Sequence, residues 1–144
     1  MFDKDRLNHS LAVANKMLEI GKDFKLQESD LKELFILGYN HDIGYEFCSD
    51  NIEHNIMGGE LLKSNGYKYW KEVYYHGNPN SEYQSLFLKI LNMADMQIDK
   101  YGIDVGYEKR LEDIKNRYGQ DSIQYINANN VVNSVIEEEL WERL

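Results

Sequence analysis

Hydrophobic positions along the chain recur mostly at steps of three and four, the period of an amphipathic helix rather than the alternation of a strand. Between about Asp5 and Ile20, Leu7, Leu11, Ala14 and Leu18 fall on one stripe, and Gly21 is placed to end that helix in a left-handed conformation. Asp30 with Glu33 three positions on has the spacing of a capping box. The segment it opens, LKELFILGYN, is apolar on most sides, as a buried helix would be. A third helix is expected from about Ile52 to Lys63, stopping at Asn65-Gly66, and a fourth from about Tyr67 to Tyr75, before the break at Gly77-Asn78-Pro79. A fifth is expected from about Glu82 to Lys100, with Leu86, Ile90, Met93 and Ile98 among its apolar positions. After Tyr101-Gly102 a sixth runs near Tyr107 to Arg117, and a last one carries Val132, Val135, Ile136 and Leu140 beside Glu137, Glu138 and Glu139. Alternation is scarce, proline occurs once and no segment repeats. The expected fold is all-α, a compact single-domain helical bundle over residues 1–144.

Composition narrows the class. A chain of 144 residues suits one domain with one core, and 42% hydrophobic with 12% aromatic residues belongs to a folded protein. No apolar run reaches the roughly 20 residues that span a bilayer. The opening MFDKDRLNH lacks the apolar stretch of a secretory signal, so a cytoplasmic protein without membrane contact is expected. Cys48 is the lone cysteine, which rules out an intramolecular disulfide or a cysteine-based zinc cluster. Acidic residues outnumber basic ones, 25 to 16, for a formal charge of −9, and such a surface repels nucleic-acid backbones and anionic lipid. The same charge is awkward for chemistry on phosphate esters unless bound divalent cations dominate the local field.

The four histidines, at 9, 41, 54 and 76, each fall on or at the end of a different predicted helix. Singly each has an ordinary reading; His76 beside Gly77, for instance, suits the negative end of a helix dipole. His41 and Asp42, however, are adjacent at the end of a mostly apolar helix, where burial is costly unless they are paired or bound to metal. Ile43-Gly44 then turns the chain away, and Gly44 lets backbone come close. Asp95 sits among Leu91, Met93, Ala94, Met96 and Ile98. His54 is followed by Gly58 and Gly59, each costing roughly 1 kcal/mol in a helix relative to alanine, which points to close approach by another helix or a ligand. Four imidazoles and two carboxylates form a ligand set suited to Fe, Mn, Zn or Ni. Six such groups exceed the needs of one open catalytic ion, so two divalent transition-metal ions are expected.

The order His…His-Asp…His…His…Asp resembles the HD-domain superfamily, specifically its members with a two-metal centre. The matching strings are LNHSLAVA, LGYNHDIG, IEHNIMGGELL, YYHG and NMADMQID, covering residues from about 5 to 100 and leaving a C-terminal helical extension of about 105–144. The resemblance implies one ion on His9, His41, Asp42 and Asp95 and a second on His54 and His76, with Asp42 bridging. His41 and Asp42 would be the catalytic core. It further implies a metal-dependent phosphohydrolase that cleaves a small phosphate ester or nucleotide with a hydroxide held between the ions. Family members that cleave cyclic dinucleotides follow HDIG with lysine and carry a GYP string. Tyr45 and the absence of GYP argue against that substrate here. The phosphate-binding cation is left among Lys63, Lys89 and Lys100, with Tyr45 and Glu46 placed to line the substrate mouth. Asp99 either supports the site or is an ordinary helix charge. Two alternatives share these ligands: a mixed-valent di-iron oxygenase, and a non-catalytic, metal-stabilised ligand-sensing domain. The latter could use the tail EEELWERL, with Trp141 and Leu144, as a homo-oligomer contact.

Overall fold

The computed structural model describes residues 4–46 and 54–143, with side chains described up to Glu137 apart from that of Glu46. The expectations for Cys48, for the start of the third helix at Ile52, and for the side chains of Leu140, Trp141 and Leu144 lie outside these residues. Seven α-helices run through them: α1 (Lys4–Asp23), α2 (Glu28–Asn40), α3 (His54–Ser64), α4 (Trp70–Tyr75), α5 (Leu86–Asp95), α6 (Gly106–Tyr118) and α7 (Ile123–Arg143). A short 3-10 turn covers Ile43–Glu46. Among the described residues the one extended pairing is an isolated bridge between Ile98 and Asp104, so the fold is all-α. No helix among them is long and apolar enough to cross a membrane.

The buried face of α1 is His9, Ser10, Val13, Ala14, Met17, Ile20 and Gly21. The expected stripe is therefore displaced: Ala14 lies on the buried face, but Leu11 is exposed and Leu7 and Leu18 are only half-buried. A count of apolar positions gives no weight to His9 and Ser10, which the fold turns inward. Gly21 does not end the helix. A Cβ there would stand 2.7 Å from Leu34 Cδ1 and 2.8 Å from Leu31 Cδ2, so the glycine admits α2. The left-handed terminal residue is Lys25, at φ 59°. Leu26 N–H donates to the Gly21 carbonyl at 3.1 Å and Lys25 N–H to that of Lys22 at 2.9 Å, the paired bonds of a Schellman ending.

α2 begins ahead of the expected capping box. Gln27 is its N-cap and makes no side-chain cap bond, Asp30 lies in the first turn, and Glu33 accepts the Tyr69 hydroxyl instead. Leu34, Leu37 and Gly38 are buried while Ile36 and Tyr39 are exposed, so α2 buries one face and not its whole circumference. A Cβ on Gly38 would come 2.7 Å from Ala14 Cα, which shows how closely the α1 and α2 backbones pass.

α3 ends at Ser64, and the expected stop at Asn65-Gly66 follows it directly, with Gly66 at φ 75°. α4 and α5 are shorter than their apolar spacing suggests. α5 starts from Ser85, whose hydroxyl accepts Leu88 N–H at 3.0 Å, and it stops at Asp95. Beyond it the Gln97 carbonyl accepts Val105 N–H at 2.9 Å and Gly106 N–H at 3.2 Å, a tight reversal into α6. Ile98 is buried in this reversal rather than on a helix. One apolar cluster joins α1, α2, α4 and α5 through residues such as Met17, Leu34, Val73 and Leu91, with Val135 of α7 packed into it. A second joins Met96 to Ile114, Ala128, Val131 and Val132 of α6 and α7.

Candidate metal centre

Each of the six sequence-selected groups comes from a helix end or a buried helix face. His9 is on α1, His41 is the C-cap of α2 with Asp42 next to it, His54 opens α3, His76 is the C-cap of α4, and Asp95 closes α5. Local contacts fix these ends. A Cβ on Gly44 would stand 1.7 Å from the His54 carbonyl oxygen, and one on Gly58 would stand 3.0 Å from Gly44 N, so glycines let the turn after Asp42 rest on the start of α3. A Cβ on Gly59 would stand 2.5 Å from Tyr74 Cβ, which brings α4 against the same helix. Asn55 Nδ2 donates to the Tyr74 carbonyl at 3.0 Å, and Gly77 N–H donates to Asn92 Oδ1 at 2.9 Å, tying the end of α4 to α3 and α5.

The rings share one orientation rule. Nδ1 of His9 lies 2.8 Å from the Asp99 carbonyl oxygen, that of His41 2.6 Å from Gly38 and that of His76 2.5 Å from Val73. A carbonyl can only accept, so these Nδ1 atoms carry protons and Nε2 of each ring is the atom left pointing inward. That is how metal-ligating imidazoles are held. Asp99 thus contributes its main-chain oxygen rather than a charge on a helix face; its carboxylate instead accepts Tyr101 and Ile103 N–H, both at 2.9 Å.

The inward atoms converge in two groups that meet at Asp42. Its Oδ2 is 3.2 Å from His41 Nε2 and 3.6 Å from His9 Nε2, and Asp95 Oδ1 is 2.9 Å and 3.4 Å from the His9 and His41 nitrogens. Its other oxygen, Oδ1, is 3.2 Å from His54 Nε2 and 3.6 Å from His76 Nε2. His9–His41–Asp95 and His41–Asp42–His76 each bring one ligand atom per residue within 4.8 Å of one another. His41 Nε2 is buried without a hydrogen-bond partner. A fully buried ring nitrogen aimed at two carboxylates calls for a positive charge between them, a proton or a metal ion, and nitrogen and oxygen donors in this number suit a divalent transition metal.

Without ions the cluster has a definite charge pattern. Burial works against a charged imidazole at His41, but Asp42 and Asp95 outweigh it and hold His41 well above its ordinary 6.5. Burial likewise works against both carboxylates, and the charge of His41 first, then bonds from the neighbouring imidazoles, hold Asp42 and Asp95 well below the usual carboxylate range. Proton and metal therefore compete for the same place.

The cluster forms the floor of a cavity of about 700 Å³. Tyr45 lines it, stacked on His54 with ring centroids 4.0 Å apart, and the Arg6 guanidinium carbon lies 3.3 Å from the Tyr45 ring centre. Burial, then the Asp42 charge, pushes the Tyr45 hydroxyl upward, so it stays a neutral donor. Two sequence candidates are elsewhere: Lys63 is exposed over the Trp70 ring and Lys89 packs over Phe24, because long apolar stems settle on nearby aromatics. Lys100 does reach the cavity wall. Sequence reading missed Arg6, Arg110 and Arg117, which also line it. Of these only Arg6 carried a signal, three residues before His9 on the same helix face.

An all-α chain with a buried imidazole–carboxylate cage opening into a cavity is a metal-binding helical protein. The family model of the HD domain matches residues 6–113, well over half of the chain, and the chain belongs to that family. HD domains bind divalent metal and are commonly metal-dependent phosphohydrolases. No curated protein and no solved structure matches the chain significantly.

Proposed function

We propose that the protein is a phosphohydrolase that holds two divalent ions side by side and cleaves a small phosphate ester or nucleotide. The observation that carries this reading is the division of Asp42: its two carboxylate oxygens face different histidine pairs, as a bridging ligand requires. Divalent ions held there would supply water activated near neutral pH and offset charge on a phosphoryl group. The chain's own residues then have plain tasks. His9, His41 and Asp95 hold one side of the cage and His54 and His76 the other, each ring kept from turning by its carbonyl or, for His54, by Tyr45. The cavity is wide enough for an organic leaving group beyond the phosphate.

The test is metal content per chain in protein purified without chelators, followed by a panel of phosphate esters with several divalent ions. About two ions per chain and hydrolysis supported by more than one metal are expected. Turnover that required both iron and oxygen would replace hydrolysis with di-iron oxidation.

A further inference from the structure

A phosphoryl group in this cavity has oxygens beyond those the ions would meet, and of Lys63, Lys89 and Lys100 only Lys100 lines the cavity. Four basic side chains line the cavity: Arg6, Lys100, Arg110 and Arg117. Arg6 is exposed and lies on Tyr45, Lys100 lies over the Tyr101 ring, and Arg117 is exposed with Asp113 at 3.2 Å. Arg110 is different. Its side chain is 11% exposed, and its Nε donates to the main-chain oxygen of Asp95 at 3.3 Å, beside the cage. Its Nη1 is buried with no hydrogen bond, since Asp113 Oδ2 at 3.7 Å is within ion-pair range but too far for one. Burying a guanidinium with an unmet donor is costly, and capping the end of α5 accounts for Nε alone.

Resting on the hydrolase reading, we infer that Arg110 grips a phosphoryl oxygen of the substrate on the Asp95 side of the cage. The planar fork suits a tetrahedral oxyanion, because one edge can stay on the Asp95 carbonyl while a small turn of the other, now covered beside Asp113, would bring it to the cavity the side chain lines. Asp113, one turn further along α6, lies 3.7 Å from Arg110 and 3.2 Å from Arg117, so it steadies both arginines on one face. α6 falls in the stretch that sequence reading left outside the motif-bearing part, and on this account it supplies a substrate contact.

The experiment titrates inorganic phosphate into metal-loaded wild type, Arg110→Gln and Arg110→Lys by calorimetry, with metal content and melting temperature measured in parallel. Arg110→Gln should keep its metal and bind phosphate at least about tenfold more weakly, with Arg110→Lys in between, because charge without the fork recovers part of the grip. Phosphate bound equally well by Arg110→Gln would overturn the assignment, as would a metal-loaded wild type that binds no phosphate. If both variants lose metal or fold poorly, the Arg110 Nε–H resonance of wild type loaded with a diamagnetic ion decides. A shift on adding phosphate upholds the assignment, and an unmoved signal defeats it. Arginine-dependent phosphate binding in a protein that hydrolyses no ester would uphold Arg110 and sink the hydrolase reading.

Discussion

Asp42 is the side chain on which both halves of the cage depend, so its replacement is the sharpest single-residue test. Asp42→Asn keeps the shape but removes the charge that faces all four imidazoles. Activity should fall by more than the roughly 10–100-fold that loss of a supporting partner costs, and bound metal should fall with it. His54→Ala should lower the metal content while leaving the helical fold intact, read by circular dichroism. Unchanged metal stoichiometry in that variant, by elemental analysis, would contradict a two-ion arrangement. These six positions were legible because histidine is rare in the chain and carboxylates stand out in apolar surroundings. The arginines were not. An arginine among charged helical neighbours, as in GYEKRLEDIKNRY, looks like a solvated face until the fold turns that face toward a cavity.

The helices themselves were legible in number and order, and their ends were not. Apolar period carries no stop signal of its own, so the spacing carries α5 on to Lys100 although the chain leaves the helix after Asp95. Placing Asp95 at a helix end is what lets it meet His9 and His41. Gly21 shows the opposite error. A glycine near a helix end has two uses, a left-handed turn or room for a neighbour, and one sequence does not separate them. Gly44 is the glycine whose role can be tested most directly. Gly44→Ala would drive a methyl into the His54 carbonyl and push the start of α3 away from Asp42. The expected cost is about 3 kcal/mol, the upper end of ordinary overpacking. It should appear as a melting temperature lower by at least several degrees and as weakened metal retention.

Taken as a whole, the protein should answer to pH differently with and without ions. In the metal-free chain, His41 is held well above 6.5, so its stabilisation is complete below about pH 6.5 and disappears as pH rises through its folded value. Asp42 and Asp95 are held well below 3.8, so theirs is complete above about pH 4 and disappears as pH falls through their folded values. Metal-free protein should therefore be most stable between about pH 4 and 6.5 as far as these groups decide it. Above that window the contribution of His41 declines, and once pH passes its folded value bound ions take over the positive charge that its proton supplied. The melting-temperature difference between loaded and chelator-treated protein should widen from pH 6 to pH 9, read by thermal denaturation; a constant or shrinking difference would contradict this. Three of the four imidazoles, finally, are tethered to peptide carbonyls, at Gly38, Val73 and Asp99. No point substitution deletes a carbonyl. Mutational drift can therefore repaint most of the exterior of this chain and still leave three rings aimed at the same point, so long as the helices bearing those tethers survive.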